Sequence, residues 1–171
     1  SCMELGKMLV QIANTTHGRI SPSQTFSDFV AYSALTLSIR TDPVHAEKRR
    51  GMLKKLKDSY KDTEWNSFHE GLVALSREVV KNNQMGNFID LFALPYTQIG
   101  AASKELKQDF TPPDVAKLIA EITSQQSTAL PQEGFFSIQD SACGSGTTLL
   151  AGAERIAALG FNTSTQLMVY A

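Results

Sequence analysis

The stretch Phe135-Phe136-Ser137-Ile138-Gln139-Asp140-Ser141-Ala142-Cys143-Gly144-Ser145-Gly146-Thr147-Thr148-Leu149-Leu150 decides the fold class, because it reads as a short apolar strand, a glycine turn and the start of a helix. Gly144 and Gly146 let the backbone turn sharply, with no Cβ in a ligand's way, where the following helix presents unpaired N–H groups. Such an edge suits a small anionic or nucleoside-containing ligand. The same glycines serve any tight strand-to-helix connection, so the turn alone names no activity. Beyond it, Leu149, Leu150, Ala153, Ile156 and Ala157 give a helix face, Gly160 reads as a C-cap, and Leu167-Met168-Val169-Tyr170 reads as a second buried strand. Strand, helix and strand form one parallel unit, expected to be right-handed.

A second signal lies upstream, in Gln108-Asp109-Phe110-Thr111-Pro112-Pro113-Asp114-Val115. Thr111 is expected to cap a helix, Pro112 suits its first turn, and Asp114 completes a Thr-x-x-Asp capping box. Val115, Leu118, Ile119 and Ile122 then form the predicted buried face. Residues 124–134, polar and carrying Pro131, connect this helix to the strand.

The two segments together resemble the N6-adenine (amino-methylating) DNA methyltransferases, both the modification subunits of type I restriction systems and related type II enzymes. The family pattern is Phe-Thr-Pro, a helix, then Asp-Pro-Ala-Cys-Gly-Ser-Gly. Phe110-Thr111-Pro112 matches the first part, and Asp140-Ser141-Ala142-Cys143-Gly144-Ser145-Gly146 matches the second except at Ser141, where the family has proline. That departure loosens one rigid position and keeps both glycines. The resemblance begins near Phe88-Ile89-Asp90 and covers the C-terminal half.

The resemblance implies a mainly helical N-terminal region over residues 1–86, then, over residues 87–171, the start of an α/β, Rossmann-like methyltransferase domain, truncated after its second strand. It implies S-adenosylmethionine as cofactor. Thr111 and neighbouring backbone N–H groups would receive the methionine carboxylate, and Asp140 the ammonium. Ala142, Cys143, Gly144, Ser145 and Gly146 would line the body of the cofactor, with Gln108, Asp109, Phe110, Pro112 and Thr147 completing the site. The implied partners are DNA and a specificity or restriction subunit, in a restriction-modification setting. In the full enzyme the amino nitrogen of a flipped-out adenine attacks the sulfonium methyl in line. The donor is already activated, so no metal is implied.

Other nucleotide chemistries fit less well. A dinucleotide fingerprint needs a third glycine where Leu149 stands, and a P-loop needs a lysine that Gly146-Thr147 lacks. Comparable folds hold the ribose with a carboxylate about 20 residues past the glycine turn. Between Gly146 and Ala171 the only acidic residue is Glu154, expected to lie inside a helix and to point the wrong way to serve there, so the ribose anchor is expected to be missing. The family's catalytic Asp/Asn/Ser-Pro-Pro-Tyr/Phe is absent; Thr111-Pro112-Pro113-Asp114 has only its double proline. The expectation is therefore a cofactor-binding portion, inactive alone. The rival is a non-catalytic helical module that contacts DNA or a subunit and keeps a vestigial glycine turn.

Bulk properties set outer limits. With 42% hydrophobic and 19% charged residues among 171, the chain is globular, and no apolar run approaches the ~20 residues of a membrane span. No secretion signal opens it, so a soluble, cytoplasmic protein is expected. Cys2 and Cys143 make neither a disulfide framework nor a metal spacing, and no zinc is expected. Cys143 as a nucleophile lacks a sequence-local base in His17, His45 or His69.

The N-terminal half reads as capped helices. Thr25 and Asp28 form a candidate capping box ahead of Phe26, Phe29, Val30, Ala34 and Leu37, with Ser33 interrupting the stripe and the helix ending near Ile39. Asp42-Pro43 opens a basic segment with Met52, Leu53 and Leu56 on its apolar side. There Lys48, Arg49, Arg50, Lys54, Lys55, Lys57 and Lys61 face only Glu47, Asp58 and Asp62, giving either a phosphate-contacting face or a solvated helix surface. After a boundary at Asp62-Thr63, Trp65, Phe68, Leu72, Leu75 and Val79 make the clearest helical stripe, core rather than base-stacking residues. Asn82, Asn83 and Gly86 end it. Phe88, Leu91, Phe92 and Tyr96 suggest a short helix broken at Pro95, with a turn at Gly100 and a polar loop over 103–109.

Overall fold

The computed structural model describes residues 2–102, 111–124 and 129–171; Gln108, Asp109, Phe110 and the 103–109 loop lie outside them. Two compact units divide the chain, one of Ser1–Glu78 with Leu94–Leu106, the other of Val79–Ala93 with Lys107–Ala171.

In the first unit, α1 spans Cys2–Asn14 and α2 spans Pro22–Thr41. Helix α2 starts one turn before the expected box, because Ser21 accepts the Gln24 N–H at 3.2 Å and Pro22 takes the first position without losing a hydrogen bond. Thr25 is thus an interior, fully buried residue. Asp28 instead accepts from the Tyr60 hydroxyl at 2.5 Å; burial, reinforced by this carboxylate, pushes that hydroxyl well above the usual phenol range. The buried face holds Phe26, Phe29, Tyr32 and Ser33, while Val30 and Leu37 are exposed. Ser33 tolerates burial because its hydroxyl donates to the Phe29 carbonyl one turn back.

Asp42 caps as expected, accepting from His45 N–H, but it opens a 3-10 turn, Pro43–His45, ahead of α3, Ala46–Lys57. Helix α4, Asp62–Gln84, begins where Glu64 accepts the Lys61 N–H at 2.8 Å. Glu64, itself buried, also pairs with Arg19 at 2.5 Å. Phe68, Leu72 and Leu75 are buried as predicted, whereas Val79 is exposed. Phe68 lies edge-on to Phe29 at 5.7 Å and against Tyr60 at 4.9 Å, and Trp65 lies edge-on to Tyr32 at 4.9 Å, so these rings form core.

Residues 88–92 are not helical. Helix α5 is Ala93–Ala102, with Pro95 in its first turn and Gly100 inside it. Proline there starts a helix rather than breaking it, because the N–H it lacks has no intrahelical acceptor anyway.

In the second unit, α6 spans Pro113–Thr123, β1 Phe136–Gln139, α7 Thr147–Ala158 and β2 Leu167–Tyr170. The strands pair in parallel, Phe136 opposite Leu167 through Gln139 opposite Tyr170. The burial expected on α6 is overturned: Val115, Leu118, Ile119 and Ile122 are 42–59% exposed, and the buried residues are Ala116 and Ala120. Small side chains carry the contact because α6 and α7 pack closely, with Ala116, Ala120 and Ala151 in one cluster. Strand β2 is also exposed at Met168, Val169 and Tyr170, since among the described residues it has one strand neighbour only. Among the described residues no helix is long and apolar enough to cross a membrane.

Candidate functional site

Chain path sets the site. Asp140 N–H donates to the Tyr170 carbonyl at 3.0 Å, extending the parallel ladder one step beyond β1, and Asp140 Oδ1 then accepts the Ala142 N–H at 3.0 Å. That side-chain turn starts the reversal. Gly144 (φ +55) and Gly146 (φ +93) complete it in left-handed conformations, and Gly146 stands at the N-cap of α7. Among the described residues the Cys143 thiol has the carbonyl of neighbouring Gly144, at 3.8 Å, as its partner, and no base is placed on it.

At the start of α6 the chain departs from the expected capping box. Pro112, extended at ψ 140, is the N-cap residue, and no side chain caps the helix. Pro113 forces this shift, because a residue before proline is driven out of the helical region. Thr111 therefore stands outside the helix and Asp114 in its first turn.

The two segments meet. A cleft of about 440 Å³ is lined by Thr111, Pro112 and Pro113 at the start of α6, by Thr147 at the start of α7, and by residues of the 87–93 segment. Of the predicted site residues, Thr111, Pro112 and Thr147 form its wall, and Ser145 joins them through a neighbour. Asp140, Ala142, Cys143, Gly144 and Gly146 lie along the approach to α7 and not among the lining residues.

The neighbour is Asp90, which sequence reasoning missed. One carboxylate oxygen accepts the Thr147 hydroxyl at 2.7 Å and the Ser145 hydroxyl; the other accepts the N–H groups of Phe92 at 3.0 Å and Ala93 at 2.9 Å. Asp90 thus fixes the glycine turn and its own 90–93 segment with a single side chain. Its partners Ser145 and Thr147 are 55 and 57 residues away, beyond any local pattern.

Glu154 was also missed. It lies inside α7 as expected, and there it lines the cleft, accepts the Phe88 N–H at 3.0 Å and pairs with Lys117 at 2.8 Å. Burial raises its carboxyl pKa, but Lys117 and the Phe88 N–H outweigh that and hold it below the ordinary glutamate value. A second tie joins the adjacent residue of α7 to the C-terminal end of α6, with Arg155 donating to Ser124 Oγ at 3.0 Å and pairing with Glu121 at 3.5 Å.

Two helix N-termini at one cleft give a positive partial charge there, suited to a carboxylate. Among the described residues no group of three or more His, Cys, Asp or Glu side chains is placed to hold a metal.

No curated protein and no solved structure matches the chain significantly. The model of the family described as N-6 DNA Methylase matches residues 84–170, a stretch that contains both motifs and every residue lining the cleft. On that match the chain belongs to the N-6 DNA methylase family, DNA methyltransferases that act on adenine.

Proposed function

We propose that this chain binds S-adenosylmethionine in the cleft between the starts of α6 and α7, as the cofactor-binding part of an N6-adenine DNA methyltransferase working in restriction and modification. The observation that carries the reading is the meeting of Thr111-Pro112 and Thr147 in one cleft within the family-matched stretch. S-Adenosylmethionine supplies an electrophilic methyl group; the chain's own residues bind and orient it. Thr111 and N–H groups at the two helix starts receive the carboxylate, Asp140 takes the ammonium group, and the segment from Ala142 to Gly146 lies along the body of the molecule. By resemblance Gln108, Asp109 and Phe110 belong to the same site. On this reading residues 1–86 are a helical region, and β1, α7 and β2 open a Rossmann-like sheet over residues 87–171.

No Asp/Asn/Ser-Pro-Pro-Tyr/Phe occurs in these 171 residues, so methyl transfer is assigned to a larger assembly or longer polypeptide in which this segment works. Calorimetric titration with S-adenosylmethionine tests the reading. Gly146→Val forces a β-branched residue to φ +93, a region such residues avoid, and is expected to abolish binding. Tight binding that survives this change removes the cleft from the proposal, and no binding by the unaltered chain favours the interaction-module reading.

A further inference from the structure

The outward face of α3 carries a charge arrangement that folding does not explain. This helix holds six of the chain's 16 basic residues and one of its 17 acidic ones. Arg49 is accounted for by structure, since it pairs with Asp42 at 2.8 Å and donates to the Ser38 carbonyl. Arg50 pairs with Glu47 at 3.2 Å and Lys57 with Asp62 at 3.6 Å. Lys48, Lys54 and Lys55 are exposed and have no ion pair among the described residues. Lys54 and Lys55 suit the negative end of the helix dipole, but Lys48 sits in the first turn, where a cation is unfavourable. Arg50 and Lys54 add a like-charge pair one turn apart, also unfavourable.

Gly51 sharpens the pattern. Two helical glycines in this unit contrast: a methyl group on Gly71 would overlap Ile12 and press on the Phe29 ring at 3.0 Å, so packing requires that glycine, whereas nothing stands within 4 Å of a methyl on Gly51. Gly51 weakens α3 with no packing return. On the helix surface its neighbours one turn away are Glu47, Lys48, Lys54 and Lys55, so it leaves a shallow dip bordered by three unpaired ammonium groups and by a glutamate already engaged by Arg50. A polyanion can bring its backbone close at such a point.

We infer that the exposed face of α3 around Gly51, bordered by Lys48, Lys54 and Lys55, is a contact surface for the phosphate backbone of DNA, separate from the cofactor cleft and reading no sequence. It rests on the family's substrate being DNA. Phosphate neutralisation releases counterions, so each lysine engaged adds to the salt dependence of binding.

Fluorescence anisotropy with a short mixed-sequence duplex across a salt series tests it, using the 171-residue chain. Changing Lys48, Lys54 and Lys55 together to Gln is expected to lower the slope of log affinity against log salt by about 2–3, while relief of repulsion leaves the melting temperature equal or higher. Gly51→Ala is expected to raise the melting temperature and weaken DNA binding several-fold, opposite signs that a merely structural role does not produce. An unchanged salt slope in the triple variant overturns the inference. Should the chain bind S-adenosylmethionine but no DNA, the α3 surface falls and the cleft stands; if it binds DNA through α3 but no cofactor, the surface stands and the cleft falls.

Discussion

The two units hold themselves together by different means. The first is built on large rings: Phe29, Tyr32, Tyr60 and Phe68 are buried against one another, and Leu9, Ile12, Leu72 and Leu75 fill the space around them. The second has alanines at its helix contact and relies on directional ties, Asp90 to the glycine turn and Glu154 to Lys117 and Phe88. It leaves Val115, Leu118, Ile119 and Ile122 in solvent. Apolar area sets stability in the first unit, whereas in the second a few polar groups set the shape of a cleft. A unit fastened in this way can keep a ligand-sized space open beside the helix pair.

That contrast breaks most readily at Phe68. Phe68→Ala removes a fully buried ring from the centre of the aromatic cluster and is expected to cost about 3–5 kcal/mol, read from the denaturant midpoint. A loss below about 1 kcal/mol would mean that the rings are not the main support.

A smaller effect is expected at Asp90. Asp90→Ala frees two hydroxyls and two N–H groups, several of them partly solvated, and is expected to cost about 1–3 kcal/mol. Its signature is local: amide exchange across residues 144–150 speeds up, and that of α4 does not. Equal protection of the turn in the variant would show that Asp90 is not what holds it.

The smallest effect is the response to acid. Glu154 titrates below the ordinary glutamate value of about 4.3 when folded, so its contribution is fully present above that pH and is lost as pH falls through the lowered value. Because Lys117 is half exposed, the contribution is about 1 kcal/mol or less. Lys117→Gln should shrink the loss of stability between about pH 5 and pH 3, measured as the difference from the unaltered chain. An identical acid profile would exclude this pair as a clamp on the cleft.

Local chemistry made much of the fold legible. The strand, the glycine turn and the α7 face follow from residues 135–157 alone, and the α4 stripe from Trp65 to Leu75 from its spacing. What the sequence hid has physical reasons. An apolar stripe shows that a helix has a hydrophobic face, not which face a neighbour covers; on α6 the alanines are covered and the larger residues are not. Two helices start away from the expected threonine caps, because Ser21-Pro22 and Pro112-Pro113 offer stronger starts than the threonines beside them. Of the cleft wall, Thr111, Pro112 and Thr147 were legible, while Asp90, Lys117 and Glu154 were not, because their roles arise only when distant segments fold together.

Asp90 has one further consequence. The hydroxyls of Ser145 and Thr147 both donate to its carboxylate, so the turn is held by bonds within the fold itself. On the proposed function, a turn held in this way leaves less conformational entropy to be lost on association. The same bonds commit both hydroxyl protons to Asp90, so that toward any incoming group these two oxygens can only accept.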